Sequence, residues 1–151
     1  MLELAQLADR DAVNRISGQV ARQHALWRPD LFQYCGNSYE EAYYQEKIRG
    51  KRLFVAKING EVVGYTHFYT WETSGPCAIH RKVLSITDFA VEESCRGQGI
   101  GTQMMLELRA LSQAFRCTDM ELSVFPQNDD AVGFYQKCGF TIKNIEMQRK
   151  V

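Results

Sequence analysis

The sequence predicts an α/β fold in the α+β sense, a mixed sheet flanked by helices, and three observations carry that expectation. Apolar residues recur at helical spacing in several segments. Other, shorter stretches are rich in Val, Ile, Phe, Tyr and Thr and are bounded by Gly, Asn or Pro, as strands are. The two kinds interleave along the chain in the order β-α-α-β-β-β-α-β-α-β. The 151 residues suit one domain over 1–151, large enough to bury about 68–70% of the unfolded chain's surface without staples.

"LELAQL", residues 2–7, reads as a short first strand. Residues 9–26 set Ala12, Val13, Ile16, Val20 and Leu26 near helical spacing, with Asp9 or Asp11 as cap. Pro29 breaks this helix, and "WRPDLFQYCGNS" reads as a loop. Residues 38–50 predict a second helix, with Ser38 and Glu41 as a capping box and Gly50 as the stop. "RLFVAKI" and "EVVGYTHFYTWE" flank Asn59-Gly60, a hairpin signal because both residues accept the positive φ of a type I′ turn. "RKVLSITDFAV" is mostly apolar and predicts a central fourth strand. The next helix places Met104, Leu108, Leu111 and Phe115 on one face. "DMELSVF" reads as a strand, residues 128–138 as a short helix, and "FTIKNIEMQRKV" as a final strand or hairpin.

Charge and cysteine usage narrow the function classes. Lys plus Arg and Asp plus Glu number 18 each, which gives no support to nucleic acid or an anionic membrane as the main partner. The amino terminus lacks the pattern of a secretory signal, and no apolar run approaches the roughly 20 residues that span a bilayer. Five cysteines, an odd number with no C-x-x-C pair, read as free thiols in a reducing cytoplasm, mostly buried as small hydrophobes. No zinc-ligand spacing occurs, so no metal is expected.

One stretch stands out. "EESCRGQGIGTQMM", residues 92–105, sets Gly97, Gly99 and Gly101 at alternate positions before a helix. The first N–H groups of a helix lack intrahelical partners, and the dipole adds about half a positive charge there. Glycines open the approach for phosphate oxygens, and Arg96 adds a full charge. The spacing fits neither a Walker loop, which needs a lysine, nor a dinucleotide fingerprint, which follows the first strand. Alone, the cluster reads also as a flexible loop with a helix start.

At this point the sequence resembles the GNAT superfamily of acyl-CoA-dependent N-acyltransferases. Their signature is Arg or Gln, then Gly three places on and Gly or Ala two further, matched by Arg96, Gly99 and Gly101. "ITDFAVEESC" resembles the family's fourth strand and turn, and "FPQNDDAVGFYQKCGF" its second motif, with Asn128, Tyr135 and Cys-Gly-Phe. The resemblance covers essentially the whole chain. It implies the GNAT acyl-CoA N-acyltransferase fold, with a bulged fourth strand splayed from the fifth and the pantetheine arm of acetyl-CoA lying in the opening. It implies that Phe89, Ala90 and Val91 line this arm, with the Val91 N–H polarising the thioester carbonyl. Arg96, Gly97, Gln98, Gly99, Ile100, Gly101 and Thr102 would wrap the diphosphate, and Asn128 would reach the cofactor's amides if it does not simply cap its helix. A homodimer is a family-level expectation.

The resemblance implies direct attack of a primary amine on acetyl-CoA. Deprotonating an amine of pKa about 10.4 at pH 7 costs roughly 4–5 kcal/mol, so the site must supply a base or desolvate the ammonium. Tyr135 stands where the family assists the departing thiolate, although it reads also as a helix aromatic packed on the last strand. Protonating a free thiolate from a phenol is uphill by about 2 kcal/mol, so Tyr135 would hydrogen-bond the sulfur or transfer its proton while the sulfur is still more basic, in the tetrahedral intermediate. Ser123 stands where ribosomal-protein acetylases of the superfamily carry a glutamate, and serine cannot accept a proton at neutral pH. Polyamine acetylases have an acidic pair where this chain has Thr87-Asp88. Asp88 is therefore the candidate base or amine ligand, or else a buried carboxylate with a structural partner. Glu92 is expected to face water. His67 reads as a satisfied strand histidine before it reads as a base, and His24 and His80 as peripheral. Trp27, Phe32, Tyr34, Tyr39, Tyr43 and Tyr44 either wall an acceptor site by cation–π contact or form plain core.

The expected function is transfer of acetyl from acetyl-CoA to a small-molecule amine of polyamine or amino-sugar type. The alternatives are acetylation of a protein N-terminus or lysine, a non-catalytic acyl-CoA-binding domain, and a nucleotide-binding module.

Overall fold

The computed structural model describes residues 1–151. Five strands, β1 (Leu2–Leu4), β2 (Leu53–Ile58), β3 (Glu61–Glu72), β4 (Lys82–Val91) and β5 (Asp119–Leu122), form one sheet in that order. The first three pairings are antiparallel and the last is parallel. Helices α1 (Arg10–Trp27) and α2 (Glu41–Arg49) precede β2; α3 (Ile100–Ala114) and α4 (Asp129–Lys137) flank β5 in the chain.

The two faces of β2 show how the sheet is sandwiched. Leu53 and Val55 pack with Val13 and Ile16 of α1, Tyr44 of α2 and Tyr65 of β3. Phe54 points the other way, to Phe68, Leu84, Met105 and Leu108, and Ala56 to Met104. A strand covered on both faces must be apolar on successive residues, which explains the unbroken "LFVA". The β2–β3 turn is the expected hairpin, with φ of 52° at Asn59 and 84° at Gly60.

Gly64 of β3 permits a close approach. A Cβ there would lie 2.8 Å from Met104 Sδ and 2.8 Å from the Ala90 carbonyl. Its absence lets α3 seat its fully buried Met104 against the sheet.

Two features of β4 open the fold. Its pairing with β3 skips Thr87, since His67 faces Asp88 while Phe68 faces Ile86. Such a bulge re-aims the residues beside it. Its pairing with β5 stops at Ile86 and Leu122, so the remainder of β4, Thr87–Val91, parts from β5.

Several expectations change. Residues 141–151 form no strand; their side chains are exposed, with Ile142, Ile145 and Met147 each about four-fifths or more accessible. A strand needs a bordering strand for its backbone groups, and within this chain the segment is joined to β5 by a side chain, Lys143 Nζ to Glu121 Oε1 at 2.7 Å. Ser38 does not cap α2, which starts after Glu40. The Asp9 carboxylate accepts the Gln6 N–H at 2.9 Å and pairs with Lys57, so it serves the turn ahead of α1. Leu26 is largely exposed, Phe115 lies at the rim, and Met105 joins Met104 and Leu108 in the buried face of α3. Cys35 and Cys77 are exposed and the other three cysteines half-buried, so the thiols are free but not core residues.

Candidate functional site

The bulge turns Asp88 toward the face covered by α1. Its Oδ2 accepts the Tyr39 phenol at 2.9 Å and lies 3.6 Å from His67 Nδ1. No arginine pairs with it, and its side chain remains 37% accessible, so it is not a sealed structural carboxylate. Tyr39 is aimed by α1. Asn14 uses both ends of its amide on the Tyr39 backbone, accepting its N–H at 2.9 Å and donating to its carbonyl at 3.1 Å. Arg10 Nε donates to the same carbonyl. Burial first, then the Asp88 charge, raises the Tyr39 pKa far above the ordinary phenol value. The phenol is thereby a fixed donor to the carboxylate.

A cavity of about 190 Å³ opens beside this pair. Ser17, Val20, Ala21 and His24 of α1, Phe32 and Tyr39 of the following loop, Tyr65 and Asp88 line it. One carboxylate among aromatic rings suits a cation. Of the early aromatics, Phe32 and Tyr39 reach this cavity. Tyr44 is core, Tyr43 stacks under Lys47, and Trp27 packs on His24. Tyr34 lies under Arg22 in a separate, more polar cleft of about 280 Å³, lined also by Arg15, Gln19 and Glu93 and not by Asp88.

His67 is half satisfied. Its Nδ1 lies 2.6 Å from Thr87 Oγ1, whose hydroxyl also donates to the His67 carbonyl, while Nε2 is buried without a partner.

On the other side of β4, the Glu92 N–H donates to Val63 O of β3. Strand alternation then directs the peptide groups of Phe89 and Val91 away from β3, into the gap that β5 leaves. The Val91 carbonyl is taken by Arg96 Nε at 3.1 Å. The arginine thus braces the turn while half its side chain stays accessible.

The turn itself is shaped as an anion cradle. Gly97 and Gly99 have φ of 76° and 81°, which side-chain-bearing residues rarely adopt, and the space beside both is open. Gly99 precedes α3, so the N–H groups of Ile100, Gly101 and Thr102 are those without intrahelical acceptors. A Cβ on Gly101 would meet the Phe134 ring at 3.5 Å, an ordinary contact. Gln98 Nε2 donates to the Ser94 carbonyl. Glu92 does not face water: it bonds Arg15 at 2.8 Å and Gln19, while Gln19 accepts the Glu93 N–H. Its own burial would raise its pKa, but the Gln19 and Arg15 bonds outweigh this and lower it. The turn is thereby tied to α1, the wall of the aromatic cavity.

Tyr135 and Asn128 come from α4 and its cap. The Asn128 side chain accepts the Ala131 N–H at 3.2 Å, as a cap does. Tyr135 packs on Phe89, Phe134 and Phe140, and burial pushes its pKa up to about 12, with lesser contributions from Cys138 and Asp88. Asp88 and Tyr135 thus approach the bulge of β4 from its two faces. The sequence reading overlooked His24, which lines the Asp88 cavity and is not peripheral. The signal was present as one residue per turn, Ser17, Ala21 and His24, along a single strip of α1.

Residues 21–140 match the family model described as "Acetyltransferase (GNAT) family". An N-alpha-acetyltransferase of Sulfurisphaera tokodaii is 32% identical over 101 residues, 64% of this chain and 59% of that protein. A glucosamine 6-phosphate N-acetyltransferase of Candida albicans is 35% identical over 66 residues, 44% of this chain and 42% of that protein. The chain thus spans less than two thirds of the length of either relative. A crystal structure of a mutant BH1408 protein from Bacillus halodurans superposes with a TM-score of 0.94 at 24% identity, over 100% of this chain and 99% of that one, a likeness of fold.

Proposed function

Since the chain belongs to the acetyltransferase (GNAT) family, whose members are acyltransferases using acetyl-CoA as cosubstrate, we propose that it carries acetyl directly from acetyl-CoA to the primary amine of a small molecule of polyamine or amino-sugar type. The observation that carries the acceptor class is the Asp88–Tyr39 pair in an aromatic cavity beside the parted strands. An ammonium ion fits the carboxylate, and the surrounding rings favour its charge while stripping its water.

In this reading, Ile100, Gly101 and Thr102 present their N–H groups to the diphosphate, with Gly97, Gln98 and Gly99 shaping the turn and Arg96 adding charge. Phe89, Ala90 and Val91 border the pantetheine arm, and the Val91 N–H takes up the charge that develops on the thioester oxygen. Phe89 offers both its peptide groups to the arm, whereas the Val91 carbonyl is already engaged. Asn128 caps α4, and reach to the cofactor would be additional. Tyr135, protonated throughout the neutral range, hydrogen-bonds the departing sulfur. Asp88 receives the amine. The free thiols fit a cytoplasmic setting, and the exposed apolar side chains of residues 141–151 support a homodimer.

The second reading, acetylation of a protein α-amine, is favoured by the Sulfurisphaera relative and opposed by Ser123, which follows β5 directly and offers no base there. The test is CoA release from acetyl-CoA across polyamines, amino sugars, amino-sugar phosphates and short peptides with free N-termini. Turnover with small amines at a kcat/KM well above that for peptides is expected. A preference for peptides would replace the proposed acceptor, and binding of acetyl-CoA without turnover on any amine would make the chain a sensor.

A further inference from the structure

We infer that His24 is the group that takes the proton from the attacking amine; the inference rests on the acetyl-transfer reading above. The site has three candidate bases, and their surroundings differ. His67 is engaged at Nδ1 and sealed at Nε2. Asp88 is committed to the Tyr39 phenol, and a carboxylate is the weaker base in any case. The His24 imidazole makes no hydrogen bond or ion pair with the protein and lines the cavity that holds Asp88.

Its position is fixed by rings. Trp27 lies 5.9 Å away, Phe32 5.5 Å, and Phe125 5.5 Å in an edge-on contact. Phe32 and Phe125 also meet edge to face at 5.6 Å. Phe125 follows β5, whereas His24 and Phe32 belong to α1 and its loop. The cluster therefore spans from the amine cavity to the segment that follows β5, the strand that parts from β4. His24 stands at the junction of the two, where an amine beside Asp88 would meet a thioester lying in the opening.

The titratable and charged groups around it are Asp88 from β4, Tyr39 from the loop, Tyr65 from β3 and Arg28 at the end of α1. Arg28 lies over the Phe125 ring and is tied to Asp30 at 2.7 Å. Burial holds the imidazole below its ordinary value, against the upward pull of Asp88. The ring is therefore neutral near pH 7 and keeps a lone pair available.

The step balances as follows. The ammonium bound at Asp88 sheds one proton to water. The free amine nitrogen attacks the thioester carbon, a C–N bond forms, and an N–H proton passes to the unprotonated ring nitrogen of His24. As the C–S bond breaks, Tyr135 gives its proton to the sulfur while it is still more basic than a free thiolate, and the sulfur leaves with its electron pair as the thiol. The phenolate regains a proton from solvent, and His24 releases its own.

The test uses His24→Gln and His24→Asn in the full chain, with acetyl-CoA and the best amine of the panel. The expected result is a fall in kcat of about 10²-fold or more. KM for the amine and affinity for CoA should change by less than about threefold. The wild-type kcat should fall on acidification with a midpoint below about 6.5, and the variants should lose that limb. Variants that keep both kcat and the limb overturn the inference alone. If neither variant folds, NMR titration of the wild-type His24 ring gives the second measurement: its midpoint must coincide with the acid limb of kcat, and a wild type without such a limb refutes the assignment. A wild type inert toward every amine overturns the acetyl-transfer reading and this one together.

Discussion

Tyr135 carries two separable expectations. As the partner of the departing sulfur, its replacement in Tyr135→Phe should lower kcat by about 10²-fold with little change in acetyl-CoA affinity, measured by steady-state kinetics and calorimetry; an unchanged kcat would leave it as packing alone. Its proton also bears on stability. Burial raises the folded pKa to about 12, above an unfolded value of about 10. The contribution is therefore complete below about pH 10 and is lost as pH rises through the folded value. Thermal unfolding followed against pH should show a steeper alkaline decline in wild type than in Tyr135→Phe. At Asp88, substitution by Asn keeps an acceptor for the Tyr39 phenol but removes the charge, so KM for a cationic amine should rise about tenfold or more while CoA affinity holds. Equal KM values would dissociate Asp88 from the amine. His24 marks the limit of reading single residues. Its helical position was plain, but its meaning depends on Phe125, which only the fold brings against it.

Elements governed by local chemistry were legible in the sequence. Asn59-Gly60 specified its hairpin because the turn's demand for positive φ is local. The glycines of residues 97–101 announced a special turn for the same reason. The parted strands were not written in periodicity. They follow from a bulge and from where pairing stops, and they were anticipated through family resemblance alone. Residues 140–151 have strand composition but no neighbour in the chain, so propensity misled. The turn ahead of α3 gives its own test. Gly99→Ala forces a Cβ into a left-handed φ and should cost about 1–2 kcal/mol, with weaker CoA binding. Gly101→Ala meets an ordinary contact and should be near neutral in stability. Chemical denaturation and CoA titration of both variants check the contrast; equal losses would contradict the geometry of the turn.

For the whole molecule, the cradle implies linkage between ligand and stability. CoA at a thousand times its Kd should stabilise the fold by about 4 kcal/mol, whereas ATP and NAD should leave Tm unchanged. Protection by either nucleotide, and none by CoA, would return the turn to a generic phosphate loop. The exposed segment beyond Phe140 bears on assembly. Size-exclusion chromatography with light scattering should find a dimer for the full chain and a monomer after truncation at residue 140; a full chain that is already monomeric removes that role. The fit of Met104 over Gly64 reaches further than packing. With sulfur on one side and a carbonyl on the other, each at 2.8 Å, one added methyl would have to push aside the Met104 side chain that seats the third helix and the Ala90 carbonyl of the fourth strand. The glycine turn rides on that helix. If that turn holds the coenzyme as proposed, Gly64→Ala should weaken CoA binding measured by titration, although the substitution lies on another strand.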